Sequence, residues 1–402
     1  MNHHRFANKS YLLLLLAFGI YLFSFYRTSL AFDGQQIRVG LLLSKAYPES
    51  SSNLSYLRGA EMAVAELNSK EGRQGMQILL MIHEGPYGSE KDLNALQELV
   101  VEGRLHFLMG ALQNSEILPV SRLARTYRLP LMVFPKDFME APSTGEEPVN
   151  LFWISPAPEA FQRAAVRTVA QFSQKRYFLI ARDSPVGRSW GKYFWEELKR
   201  MKPAAQGVGE LFLSPNTEDY GPFIQTILSA NSEICLSYLG PKGWIHFAKK
   251  AKKIGYFRKI SHFELESGDL DSLRALKREN LEGIWGTSAF PFWALGWKET
   301  HDFINQYMKK NKGYPDLNAL SAYISVHAIQ ASRKKAGSHD FDKLIAALQG
   351  LTLSTPVGSL AIRKSDNRAL WPIWCGMTKV TPDYPFAILA DLKAFGPDSF
   401  SP

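Results

Sequence analysis

Apolar and polar positions along this chain alternate between two periods. Ile37–Leu43 (IRVGLLL) is a nearly unbroken apolar run and predicts a strand covered on both faces. In Tyr56–Leu67, residues Ala60, Met62, Ala63, Val64 and Leu67 gather on one side, which predicts a helix. Met76–Ile82 predicts a strand. Ser89–Val101 predicts a helix, with Ser89 as N-cap and acids in its first turn. Leu105–Met109 (strand), Glu116–Tyr127 (helix) and Leu129–Phe134 (strand) continue the series. A βαβαβαβ run of this kind argues for a parallel sheet with helices on both faces.

The pattern then restarts. Leu151–Ile154, Arg176–Ala181, Val208–Leu213 and Glu233–Tyr238 read as strands. Glu159–Phe172, Trp190–Met201, Gly221–Ala230 and Trp244–Ile254 read as the helices between and after them. Two successive α/β sheets of similar size are therefore expected. The last third differs: Trp297–Lys310, Ala319–Lys335 and Phe341–Leu348 are helical patterns, while Val357–Ile362 and Leu370–Val380 read as antiparallel strands. No flexible linker or tandem repeat separates the halves, so several short crossovers between two lobes are expected.

The first residues follow another rule. Leu12–Phe25 (LLLLLAFGIYLFSF) is uncharged and apolar, Arg5 and Lys9 precede it, no acid occurs before Asp33, and Ser29-Leu30-Ala31 offers small residues at both ends of a tripeptide. That order is a secretory signal, with cleavage expected after Ala31. The apolar core of 14 residues is shorter than the ~20 needed to span a bilayer; an uncleaved anchor is the alternative. Removing residues 1–31 takes out Arg5, Lys9 and Arg27, so the net charge falls from +9 to +6. A mildly basic balance suits work near anionic surfaces or an ordinary solvated exterior. The 402 residues, 46% hydrophobic and 21% charged, can bury a sizeable core, and 12% aromatics exclude disorder over most of the length. Two cysteines, Cys235 and Cys375, exclude a disulfide-stapled miniprotein.

Few motifs carry chemistry. There is no GxGxxG, phosphate-loop lysine, HExxH or Cys-x-x-Cys, so no cofactor or metal is expected, and no basic–aromatic run points to nucleic acid. Gly187-Arg188-Ser189-Trp190-Gly191 matches the G-x-S-x-G nucleophile elbow. Asp183–Val186 separate it from the preceding strand, which favours a plain helix start over a catalytic Ser189. Lys249, Lys250, Lys252 and Lys253 fall on the outer face of an amphipathic helix, and Asn53-Leu54-Ser55 is a glycosylation sequon. The segment best suited to a ligand is Gly110-Ala-Leu-Gln113-Asn114-Ser115, a strand end leading into a helix. Backbone N–H groups there favour an anion, and the polar side chains serve as caps or as ligand contacts.

Several stretches resemble type I periplasmic binding proteins, and specifically the Leu/Ile/Val-binding family of ABC-transporter substrate-binding proteins. They are Ile37–Leu43, Arg58–Asn68 (RGAEMAVAELN), Met109-Gly110 through Pro119-Val-Ser121, Asp183 to Gly187, Asp219–Ile224 (DYGPFI), Ala322–Ala331 (AYISVHAIQA) and Thr355–Leu360 (TPVGSL). The resemblance covers nearly the whole mature chain. It implies two doubly wound parallel-sheet lobes joined by three crossovers, placed near Ser155–Ala157, Gly286–Ala289 and Gly358–Arg363. Lobe 1 would comprise 36–154 and 289–357, and lobe 2 would comprise 158–286 and 364–402. It also implies that a ligand carboxylate meets Asn114, with Ser115 beside it, that Pro135 and Asp137 follow the next strand as contacts, and that Glu264 receives a ligand ammonium.

Three positions depart from the family pattern: Asn114 replaces Ser, Asp137 puts an acid where a neutral donor is expected, and Val186 replaces an aromatic before Gly187. Tyr238, Trp244, Phe290 and Phe292 are the candidates to restore aromatic surface. The acids Asp137 and Glu264 favour a ligand with extra positive charge or several amine or amide donors. The expected function is an exported, monomeric binding protein that captures a small amino-acid-like or amide-like solute and delivers it to an ABC permease in the inner membrane. Neither a chemical step nor a cofactor is required. A ligand-sensing module for a receptor and a Ser189 hydrolase are the rivals.

Overall fold

The computed structural model describes residues 36–45, 51–71, 75–135, 137, 139 and 148–396. The signal expected in residues 1–31 lies outside the described residues. The first sheet holds five parallel strands in the order β2-β1-β3-β4-β5, formed by Gln36–Ser44 (β1), Gln77–Gly85 (β2), Phe107–Leu112 (β3), Leu131–Pro135 (β4) and Leu151–Trp153 (β5). Between them run helices α1 (Ser51–Glu71), α2 (Glu90–Gly103) and α3 (Asn114–Thr126). Strand β1, flanked by β2 and β3, is almost wholly buried, whereas β2, at the edge, exposes Leu79, Ile82 and Glu84.

The second sheet repeats that order. Its strands are Arg176–Arg182 (β6), Gln206–Leu213 (β7), Ile234–Tyr238 (β8), Ser261–Glu264 (β9) and Trp285–Ser288 (β10), and they lie β10-β9-β8-β6-β7. Antiparallel Ile373–Lys379 (β13) and Ile388–Phe395 (β14) extend the β10 edge. Its helices are α4 (Pro158–Val169), α5 (Pro185–Met201), α6 (Gly221–Ser229), α7 (Gly240–Lys253) and α8 (Leu270–Arg278). Three further helices, α9 (Lys298–Asn311), α10 (Leu317–Ala336) and α11 (Phe341–Leu348), return to the first lobe, where α10 packs along α1 and against β3 and β4. A hairpin of Thr352–Thr355 (β11) and Gly358–Ala361 (β12) follows. The chain thus passes between the sheets after β5, after β10 and after β12. On the last passage Arg368 pairs with Trp153 of β5.

Local chemistry sets the helix ends. Ser89 and Asp92 form a capping box at α2, and Arg104 closes that helix in the left-handed conformation. Asp269, Asp316 and Asp340 cap α8, α10 and α11. Helix α5 starts a turn before the apolar pattern does, because Ser184 caps it and Pro185 opens it while its first turn lies mostly at the surface. Ser189 is therefore an exposed residue inside α5, with no strand-to-helix elbow around it. Gly187 has a packing reason: a Cβ there would lie 2.0 Å from the Arg182 carbonyl oxygen.

Strands β9, β10, β11 and β14 and helix α8 were not anticipated from the pattern. In β9 and β10 four of the six buried positions are polar (His262, Glu264, Thr287, Ser288), so neither run reads as apolar. Cys235 and Cys375 are both free and buried.

Candidate functional site

In both sheets the strand order reverses beside the first strand of the lobe, and a doubly wound fold offers its ligand crevice at such a point. In lobe 1 the crest is made by Ser44 at the end of β1 and Gln113 after β3. Glu116, in the first turn of α3, fills it. Its buried carboxylate accepts from the Gln113 N–H at 2.8 Å and from the Tyr87 N–H and Ser44 hydroxyl at 3.1 Å each. The donors that would attract an anion are thus partly satisfied by the protein's own acid.

In lobe 2 the crest is Arg182 at the end of β6 and Tyr238 at the end of β8. The Arg182 guanidinium lies 4.5 Å from the Tyr238 ring centroid, donates to the Tyr238 hydroxyl, and reaches across to Asp137 of lobe 1 at 3.1 Å. Asn114 completes the chain by donating its side-chain amide to the Asp137 carbonyl at 3.0 Å. A continuous line of polar contacts therefore joins the two lobes at their facing crests: Asn114, Asp137, Arg182, Tyr238.

Beside this line lies a cavity of about 570 Å³ walled by both lobes. Lobe 1 contributes Ser55 and Arg58 of α1, Asp137, Tyr307 of α9 and Asp316, while lobe 2 contributes Glu266, Asp269, Arg274, Thr287 and Ser288. Phe134, Phe161, Phe290, Phe292 and Tyr314 give it apolar walls. Phe292 stacks on Tyr314 with ring centroids 5.5 Å apart and planes within 15°. The volume falls in the range typical of small-molecule sites.

Of the residues nominated from the sequence, Asp137 lines this cavity, and Gln113, Asn114, Ser115, Pro135 and Glu264 do not. Ser115 is exposed in the first turn of α3, and Pro135 ends β4 beside Leu112. Among the aromatic candidates, Phe290 and Phe292 reach the cavity. Trp244 instead stacks on His262 at 5.1 Å inside lobe 2, and Tyr238 holds Arg182.

Glu264 is fully buried at the end of β9. It accepts from the Ser237 hydroxyl and, at 3.5 and 3.4 Å, from the Leu239 and Glu266 N–H groups. Ser237 in turn meets His262 Nε2 at 2.8 Å, and His262 Nδ1 meets the Tyr256 hydroxyl at 3.1 Å. Burial pushes Glu264 up to about 8 and His262 down to about 3, so both are neutral at pH 7. This Glu–Ser–His array resembles a catalytic triad in composition, but all three residues are sealed in the core. The acid that faces the cavity from the same strand end is Glu266, whose carboxyl burial also drives well upward. Asp269 is raised to about 6, chiefly by burial.

Sequence reasoning did not single out Glu116, Arg182, Arg58 or Glu266. Arg182 was visible as a charge at a strand end, Glu266 only as an acid in a loop, and only the topology sets them against the opposite lobe.

A family model described as periplasmic binding protein matches residues 36–379. No curated protein matches the sequence significantly. Among solved structures, the chain is similar to an ABC-type branched-chain amino acid transporter protein from Rhodopseudomonas palustris, with 20% identity, 91% of this chain and 98% of that chain covered, and a TM-score of 0.76. It is similar to a solute-binding protein of an ABC transporter from Rhodopseudomonas palustris in complex with p-hydroxybenzoic acid (19% identity, 90% and 97% covered, TM-score 0.72). It is also similar to a leucine-, isoleucine-, valine-, threonine- and alanine-binding protein from Brucella ovis in a closed conformation (14% identity, 91% and 97% covered, TM-score 0.74). With two doubly wound lobes, three passages between them and a cleft walled by both, the chain belongs to the periplasmic binding protein family.

Proposed function

We propose that this chain is an exported solute-binding protein that captures a small amino-acid-like or amide-like molecule between its lobes and delivers it to an ABC permease. The observation that carries this reading is the cavity of about 570 Å³ whose walls come from both lobes. A ligand touching both walls favours the closed state by its differential contacts, so binding alone is the mechanism. The hinge segments are taken as 155–157, 286–289 and 358–363. Export through residues 1–31 and action as a monomer outside the cytoplasm belong to the same reading.

Within the cleft, Asp137 and Glu266 are the acids assigned to face the ligand. Asn114 positions Asp137, Gln113, Ser115 and Pro135 shape the crest behind it, and Glu264 supports the strand end that carries Glu266. The aromatic walls suit a ligand with an apolar or aromatic body. The benzoate-type and amino-acid ligands of the similar structures define the first panel to try.

The test is a thermal-shift screen of residues 32–402 against aliphatic and aromatic amino acids, their amides, hydroxybenzoates and polyamines, followed by small-angle scattering of any hit. A ligand at a hundredfold excess over its Kd adds about 2.7 kcal/mol of stability by mass action. The expected result is a raised midpoint with a smaller radius of gyration. A hit that leaves the radius unchanged, or a screen flat throughout, refutes capture by closure on this class of solute.

A further inference from the structure

We propose that Arg58 is the anion receptor of the cleft, so that the captured solute carries a carboxylate on its apolar body. This rests on the solute-binding reading and names the feature of the ligand that this site selects. Arg58 lies on α1, lines the cavity and is half-buried. Burial raises the Tyr307 hydroxyl's pKa and the Arg58 charge opposes that rise, and among the described residues Arg58 forms no ion pair with a carboxylate. The other arginines at the cleft are taken: Arg182 by Asp137, and Arg274 by Asp271 at 2.8 Å.

The acid of the same cavity wall, Asp316, is committed elsewhere. Its carboxylate caps α10 through the Ala319 N–H at 2.9 Å, accepts from the Ser55 hydroxyl at 2.6 Å, and faces the Asn318 amide at 3.4 Å. Tyr307 is buried and touches Ser55 at 3.3 Å, so the hydroxyl that feels the Arg58 charge is itself fixed. A guanidinium has five donors in a rigid fork matched to a carboxylate, and one fixed contact leaves most of them for a ligand.

The alternative seats for an anion are poorer. The α3 start is filled by Glu116, whose carboxylate would repel a second one beside Gln113 and Asn114. Arg182 could take an anion only by releasing Asp137. Among the described residues, Arg58 is a half-buried cation of the cavity with no carboxylate paired to it. Glu266 and Asp137 in the same cavity suit the amine of a zwitterion, while Phe290, Phe292 and Tyr314 suit its apolar body.

The experiment is isothermal titration of the full mature chain with matched carboxylate and amide pairs, including leucine with leucinamide, phenylalanine with phenylalaninamide, and benzoate with benzamide. The parent, Arg58→Gln and Arg58→Lys are compared, with melting temperatures confirming that each variant is folded. The expected result is a pair whose carboxylate binds the parent at least tenfold more tightly than its amide. That preference should fall to about equality in Arg58→Gln and be partly kept in Arg58→Lys, in line with the strength of charge-assisted hydrogen bonds. A preference that survives Arg58→Gln, or amides that bind the parent as tightly as acids, overturns the role of Arg58 and leaves capture in the cleft standing. Absence of binding by every pair overturns both.

Discussion

Replacing Glu264 by Gln tests whether this buried acid is neutral, and its effect should depend on pH with a calculable slope. Glu264 is fully buried, and desolvation lifts it from 4.5 to about 8. Between those values the native state holds a proton on Glu264 that the unfolded chain has released. Stability therefore falls as pH rises, by about 1.4 kcal/mol per pH unit. Because the carboxyl has no exposure to solvent, screening takes little from this figure. Gln cannot ionise, so the variant lacks the slope. It carries instead a fixed cost of about 1–3 kcal/mol if its amide N–H groups find no acceptor. The neighbouring His262 titrates with the opposite sign: held neutral to about 3, it stabilises fully above the ordinary histidine value and loses that contribution as pH falls toward 3. Since His262 is present in both proteins, it drops out of the difference between them. Urea unfolding at pH 5, 6, 7 and 8, followed through the buried Trp190 and Trp244 of the same lobe, reads this difference. Relative to the parent, Glu264→Gln should gain roughly 2 kcal/mol between pH 6 and pH 8, the slope flattening as Glu264 itself begins to ionise near 8. A difference that stays constant across the series would mean that Glu264 is ionised in the native state, and the reasoning would fail.

Three further substitutions probe the frame of the cleft. Gly59→Ala places a Cβ 2.0 Å from the Ala319 carbonyl oxygen, so α1 and α10 must part, and a loss of roughly 1–3 kcal/mol is expected; an unchanged melting temperature would deny the close approach. Ser184→Ala removes the hydroxyl that accepts from the Gly187 N–H at 3.0 Å and should lower stability by about 1 kcal/mol, against about zero for an exposed serine such as Ser189→Ala. Asp137→Asn breaks the cross-lobe pair with Arg182. Because the Asp137 side chain is 46% exposed, screening limits the stability change to under about 1 kcal/mol, and the difference from the parent should shrink further in 1 M salt. An effect that grew with salt would show that the pair is not electrostatic.

Where apolar periodicity is strong, the sequence and the structure agree closely. The runs of β1, β3, β4, β6 and β8, the helical patterns of α1, α4 and α10, and the capping box of α2 were all legible; for the strands, burial on both faces of a parallel sheet leaves little room for polar residues. Legibility failed where polar groups are buried. His262 and Glu264 make β9 look like a loop, yet Ser237 and Tyr256 satisfy them from neighbouring elements, and that compensation is spread over 27 residues of sequence. The same limit applies to the site. Asp137 and Arg182 lie 45 positions apart, and neither suggests the other until two independently wound sheets face each other at their reversal points. Once they do, the charges dictate where a ligand can sit. Glu116 partly fills the crest of lobe 1 from within, and the pair of Asp137 with Arg182 closes the line between the crests. Beside that line, Glu266 after β9 keeps one buried carboxyl oxygen without a hydrogen-bond partner among the described residues, and Arg58 on α1 lines the same cavity, with aromatic rings on its walls. A two-lobed architecture of this kind can stay the same while the residues lining its cleft change, so architecture alone is a poor guide to the solute.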